Sequence, residues 1–107
     1  MNTHWEFTDS EWEKAVSLWD GCAYCRTLDK QLMRDHFIPK ILGGSHTLAN
    51  IVPACKSCNS SKNCNNPVNW RWMSPEMLVR VVKTIFIVYK NIYRCDPEVK
   101  SCTAPSF

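Results

Sequence analysis

Residues 35–62, DHFIPKILGGSHTLANIVPACKSCNSSK, place an acid, a base, carboxamides and two thiols within 28 positions. Asp35 and His36 stand near the end of a run, Gln31–Phe37, that reads as a strand, and Pro39 ends it because proline cannot donate to a ladder. On a strand two adjacent side chains point to opposite faces. A Gly43-Gly44 turn, His46 and an isolated Asn50 follow in a long irregular connection. Ordered loops of this kind in a small domain are more often functional than idle. The stretch closes on Cys55-Lys-Ser-Cys58, a knuckle running into Asn59, Ser60, Ser61 and Lys62, which read as the first turn of a short helix.

Upstream, Cys22-Ala-Tyr-Cys25 supplies a second pair, with 29 residues between the two. Two Cys-x-x-Cys pairs can bring four thiolates to about 2.3 Å from one zinc ion in a tetrahedron. The competing readings are thioredoxin-like redox chemistry, which has no use for the second pair, and chance. Cys64, Cys95 and Cys102 are left over from the seven cysteines. They read as free thiols, with a second metal or a disulfide involving Cys95 and Cys102 as the alternative.

On the N-terminal side, Thr8-Asp9-Ser10-Glu11 has the capping-box form and predicts a helix over about residues 9–20. Trp12, Ala15, Val16 and Trp19 recur at helical spacing, and Trp5 extends their apolar patch. These indoles read as core, with base stacking as the alternative. Gly21 is the expected stop. Arg26–Leu28, a turn at Asp29-Lys30, and Gln31–Phe37 read as a short hairpin. On the C-terminal side Cys64 to Pro67 interrupt the short helix, and Trp70 and Trp72 flank Arg71 in a linker. Ser74 as cap and Pro75 at the first helical position predict a closing helix over about 75–94. Its apolar face is wider than one small domain covers, so a homodimer through Val82, Ile85, Phe86 and Tyr89 is expected. The tail from Cys95, with Pro97 and Pro105, is expected to be weakly ordered.

At 107 residues the chain is expected to be one domain, near the size at which a metal staple is needed. Residues 1–12 contain Glu6, Asp9 and Glu11 and no apolar core of signal-peptide length, and the longest strictly apolar run, Ile85–Tyr89, is far short of the roughly 20 residues that span a bilayer. A soluble protein of a reducing, cytoplasmic compartment is expected, where paired cysteines bind metal more often than they form disulfides. The net charge of +3 conceals an asymmetry: residues 1–25 carry five acids against Lys14, whereas residues 26–94 carry eleven Lys or Arg against Asp29, Asp35 and Glu76. A basic block of that kind is the footprint of a polyanion-binding face, unless it is only a solvated Lys-rich surface.

The set CAYC, DHFIP, GGSHTLAN and CKSCNSSK, over about residues 20–63, resembles the HNH endonuclease family, in the phage or restriction type whose hairpin and helix are stapled by four cysteines. The resemblance implies a small α+β fold, a ββα-metal motif held by structural zinc on Cys22, Cys25, Cys55 and Cys58, flanked by the N-terminal and long C-terminal helices. It implies that Asp35 is a metal-binding acid, His36 the general base, and Asn50 the residue that braces the loop and orients the histidine. Asn59 takes the third position, where many members have His. A carboxamide oxygen there favours magnesium or manganese over nickel or zinc. The implied reaction is hydrolysis of a phosphodiester of DNA, expected to be double-stranded, to 5′-phosphate and 3′-hydroxyl ends in a bacterial or phage-infected cell. Lys62, Lys56, Lys40 and Arg34 are candidates for flanking phosphates, and His46 for a substrate or metal contact. Two other readings keep the cysteine frame: a non-catalytic zinc module binding nucleic acid or protein, and a nuclease subunit of a larger packaging or restriction assembly. A binding module has no need of a base beside a metal-ligand acid, so His36 separates the first of these from an enzyme.

Overall fold

Thr8 opens the first helix as its sequence requires. Its Oγ1 accepts from Glu11 N at 3.0 Å while Glu11 Oε1 accepts from Thr8 N at 2.9 Å, so two otherwise unpaired amides are satisfied reciprocally. The helix, α1, spans Asp9–Trp19 and buries Trp12, Ala15 and Trp19 along one face. It stops one residue earlier than the glycine suggested, because Asp20 itself adopts the left-handed conformation at φ 58°. Gly21 follows at φ 120°, where an added Cβ would come within 2.7 Å of the Thr27 carbonyl oxygen. In the computed structural model the described residues are 5–28 and 31–94. The turn expected at Asp29-Lys30 and the tail with Cys95, Pro97, Cys102 and Pro105 lie outside them.

The strand pairing differs from the sequence expectation. Strand β1, Leu32–His36, runs antiparallel to β2, Ile51–Cys55, in the register Leu32 to Cys55 through His36 to Ile51. Arg26–Leu28 forms no strand; Arg26 sits at φ 69° at the exit of the first knuckle, which is closed by Cys22 N to Thr27 O at 2.9 Å and Arg26 N to Cys22 O at 3.0 Å. The true partner was hidden because all five residues of β2 are buried, which erases the polar–apolar alternation, and because it contains Pro53. With only two strands in the sheet, Pro53 has a free edge, and its carbonyl accepts from Ala23 N at 2.8 Å.

Helix α2, Lys56–Lys62, leaves β2 without a loop, since Cys55 is both the last strand residue and the cap. Strand, strand and helix therefore form a ββα unit. The last helix, α3, spans Pro75–Tyr93 with Ser74 Oγ capping Met77 N at 3.0 Å. It lies against α1, and Tyr93 donates its hydroxyl to Glu11 Oε1 at 3.1 Å. Arg80 donates to the carbonyls of Ala23 and Tyr24 at 2.9 and 2.6 Å, fastening α3 to the first knuckle. The core runs from Trp12, Ala15 and Trp19 through Val52 and Ala54 to Val81, Ile85 and Val88. Truncating a buried indole of this kind to Ala costs about 3–5 kcal/mol. Ile85 is thus spent inside the chain and cannot serve the dimer contact expected of it, whereas Val82 of the same set is exposed. Among the described residues no helix is long and apolar enough to cross a membrane.

Candidate active site

The two knuckles converge. The Sγ atoms of Cys22, Cys25, Cys55 and Cys58 all lie within 4.8 Å of one another, with Cys25 and Cys55 at 3.7 Å. A zinc–sulfur tetrahedron with bonds of about 2.3 Å has edges of about 3.8 Å, so the donor set fits in both chemistry and size. Backbone amides already point at the sulfurs, Tyr24 N to Cys22 at 3.4 Å and Cys58 N to Cys55 at 3.5 Å, and such donors stabilise thiolate charge. The four thiols could therefore hold a metal ion such as zinc. An ion there would tie the loop before β1 to the junction of β2 and α2.

Beyond that junction, β1 separates its acid from its base as strand alternation demands. Asp35 points inward and is 6% exposed. Its Oδ2 accepts from the Tyr24 hydroxyl at 2.5 Å and lies 3.4 Å from Lys62 Nζ. Lys62 is fully buried and donates to the His36 carbonyl at 2.8 Å. Burial raises the Asp35 carboxyl above its ordinary range, opposed by the Lys62 charge and the Tyr24 hydrogen bond. Burial likewise lowers the Lys62 ammonium, opposed by Asp35. Both contacts fall on Oδ2, so neither occupies Oδ1.

His36 emerges on the other side, half-buried, with Nε2 at 2.9 Å from His46 Nδ1. The Trp5 ring lies over it at 5.8 Å and 30°. Burial, then the neighbouring His46, Lys40 and Lys62, lower the His36 pKa below the usual imidazole value. The loop that carries His46 is shaped by Asn50, which is buried and fully used. Its Oδ1 accepts from Ile38 N at 2.8 Å, and its Nδ2 donates to the carbonyls of Ile38 and Ser45, each at 3.0 Å. Gly44 is required beside it, because a Cβ would overlap the Ile38 carbonyl and come within 2.7 Å of Asn50 Nδ2.

Asp35, His36 and Asn59 all line one cleft of about 290 Å³, together with Arg34, Lys40 and Cys64. Asn59 rests its Nδ2 against Met33 Sδ at 3.5 Å, a contact that leaves its Oδ1 out. Lys40 and Lys56 are exposed. Arg34 is engaged: it donates to Asp9 at 3.0 Å and stacks within about 5 Å of the rings of Trp5, Phe7 and Trp12. Lys62, expected on a phosphate, has no exposed surface with which to reach one, and its charge is committed to Asp35. Sequence reasoning passed over Tyr24 and read Trp5 only as part of the apolar patch of α1, not as a ring beside His36. Tyr24 carried a usable signal, since a residue between two knuckle cysteines is forced into the interior; Trp5 carried none beyond its apolar spacing.

The chain thus combines a ββα unit, a four-thiol cluster that could hold a metal ion, and a cleft lined by an acid, an imidazole and a carboxamide. A protein-family model described as HNH endonuclease matches residues 22–69, the segment that contains both features, and supports a likeness of that segment to the HNH endonuclease family. Neither curated proteins nor solved structures give a match to the chain.

Proposed function

We propose that the chain is a metal-dependent endonuclease that hydrolyses phosphodiester bonds of double-stranded DNA, with His36 as general base. The observation that carries this reading is the split made by β1, which sets His36 at the cleft beside the face where Asp35 and Asn59 also arrive. A carboxylate and a carboxamide are hard oxygen donors and suit magnesium or manganese. Asp35 Oδ1 and Asn59 Oδ1 would hold the ion, which when bound would neutralise charge on the phosphate and on the departing 3′ oxygen.

His36 accepts a proton from water, the water oxygen bonds to phosphorus, and the bond from phosphorus to the 3′ oxygen breaks. The 5′ side keeps the phosphate, and the 3′ oxygen leaves as hydroxyl after taking a proton from solvent. Lys40, exposed at the cleft rim, and Lys56 at the start of α2 are placed to meet flanking phosphates; such contacts position the duplex without reading its sequence. Self-association through α3 would use Val82, with Ile85 already consumed by the core.

The test is incubation of supercoiled plasmid with the zinc-loaded chain across a panel of divalent metals. Nicking that requires magnesium or manganese and stops with chelator supports the reading. An intact plasmid under every metal, with duplex binding retained, leaves the non-catalytic zinc module instead.

A further inference from the structure

His36 commits one of its two ring nitrogens to a second imidazole. Nε2 is 2.9 Å from His46 Nδ1, with the two rings nearly perpendicular at 83° and 5.0 Å between centroids. A ring approached edge-on in this way meets one nitrogen of its neighbour head to head, and only one proton can lie between them. Trp5 packs against both, over His36 at 30° and edge-on to His46 at 89°. His46 is itself held from three sides. Its carbonyl accepts from Glu6 N at 3.0 Å, the preceding Ser45 carbonyl accepts from Asn50 Nδ2 at 3.0 Å, and the following Thr47 carbonyl accepts from Asn50 N at 2.9 Å. The imidazole of His46 is therefore set in place by Asn50 through the backbone on either side of it.

We infer that His46 is a positioning residue for His36, its Nδ1 accepting the Nε2 proton of His36 so that the lone pair of His36 Nδ1 is left for the attacking water. The alternative direction, with the proton on His46 Nδ1, would occupy the His36 Nε2 lone pair and place the His36 proton on Nδ1, leaving nothing to accept a proton at the cleft. The inference rests on the reading of His36 as base and adds to it the atom that acts and the residue that fixes it. It also gives Asn50 a route to the base: Asn50 holds the loop, the loop holds His46, and His46 holds His36. When His36 Nδ1 takes the proton, the resulting imidazolium keeps its Nε2 hydrogen bond to His46, which becomes charge-assisted. His46 is consequently not available as a ligand to metal or substrate through Nδ1.

The experiment pairs nuclear magnetic resonance with kinetics on the zinc-loaded full chain, uniformly labelled with nitrogen-15. A scalar coupling across the hydrogen bond between His36 Nε2 and His46 Nδ1, with the proton on His36 and its Nδ1 bare, is expected. A proton on His46 Nδ1, or no coupling, overturns the inference. In plasmid nicking, His46→Phe keeps a ring against Trp5 but removes the acceptor, and kcat should fall about 10- to 100-fold with KM little changed, the scale found when the partner that orients a functional imidazole is lost. His46→Gln restores an acceptor and should recover most of the rate. Parental kcat in His46→Phe, or a loss in His46→Gln as large as in His46→Phe, overturns it, provided near-ultraviolet dichroism and zinc content match the parent. If the parent itself cuts nothing, the endonuclease reading fails, and the coupling alone decides whether the His36–His46 assignment stands.

Discussion

Lys62 Nζ lies 3.4 Å from Asp35 Oδ2 and 2.8 Å from the carbonyl oxygen of His36, with no exposed surface of its own. One ammonium on α2 thus grips both residues at the tip of β1, Asp35 through its side chain and His36 through its backbone. Taking a lysine fully out of water is unfavourable, and the structure offsets it with a carboxylate that is almost as buried. The pair ties the end of β1 to α2, the helix that carries Asn59 to the same cleft.

Lys62→Met retains the stem and removes the charge, leaving Asp35 buried against only the Tyr24 hydroxyl. Breaking a buried pair on one side costs about 3–5 kcal/mol, so the denaturant midpoint of the zinc-loaded chain should drop markedly. Urea unfolding at pH 7 checks this. A midpoint equal to the parent's would mean that the pair does not hold the hairpin to the helix.

Cys22→Ser or Cys55→Ser removes one corner of the four-thiol centre. A structural zinc site can contribute on the order of 10 kcal/mol to a small domain, so each variant should lose both its metal and its cooperative unfolding. Elemental analysis together with thermal melting decides the matter. A full melting temperature in chain shown to be free of zinc would contradict the structural role.

The elements that were legible in the sequence are those whose signals are local. Thr8 with Glu11, and Ser74 with Pro75, declare helix starts because capping is settled within one turn. The thiol cluster was legible from spacing alone, since a Cys-x-x-Cys pair can aim two sulfurs at one point whatever surrounds it. Strand β2 was not, because a strand buried on both faces has no alternation, and its pairing across a loop of fourteen residues between His36 and Ile51 leaves no turn signature. The fate of the basic residues was hidden for a related reason. Charge counts say that Arg34, Lys62 and Arg80 exist, but only the packed chain shows them spent on Asp9 and an aromatic trio, on Asp35, and on two backbone carbonyls.

Gly44→Ala should disturb the base without touching it. The added methyl group would collide with the Ile38 carbonyl and crowd Asn50 Nδ2, and Asn50 cannot retreat while three hydrogen bonds hold it. Overpacking typically costs about 1–3 kcal/mol, and a methyl group driven into a backbone carbonyl, which no side-chain shift relieves, costs at least the upper end of that range. The expected result is a marked loss in thermal stability together with a loss of cleavage. Parental values of both would show that the loop has room that the geometry denies.

Burial disfavours the charged form of His36, and the positive charges of Lys40 and Lys62 act in the same direction, so its pKa is lowered from the ordinary imidazole value. The base must be neutral to act, so a lowered value keeps it active to more acidic pH. The acid limb of the kcat/KM profile should therefore be centred below 6.5. Stability follows with the same sign: the unfolded chain binds the proton more readily, so this contribution is present above the unfolded value and is lost as pH falls through the folded one. A limb centred above 6.5 would point to a different titrating group.

The pair Asp35 and His36 provides the sharpest test of the proposed chemistry, because the two residues are adjacent in sequence yet predicted to fail differently. His36→Ala removes a half-buried imidazole while leaving the thiol centre, Lys62 and Asp35 in place, so fold and duplex affinity should persist. Cleavage should fall by roughly 100-fold or more, the scale of losing a positioned general base. Asp35→Ala removes an anionic ligand, and it also strands the buried Lys62 ammonium, so this variant should be both less stable and more demanding of metal. Asp35→Asn softens the second effect by keeping an oxygen for Tyr24 and Lys62, and is the better probe of the ligand role. Raising magnesium or manganese should recover part of the rate in Asp35→Asn, since the lost affinity is for the ion. The same titration should do nothing for His36→Ala, because no concentration of metal replaces a proton acceptor. If metal rescues both variants equally, or if His36→Ala nicks plasmid at the parental rate, then His36 is not the base.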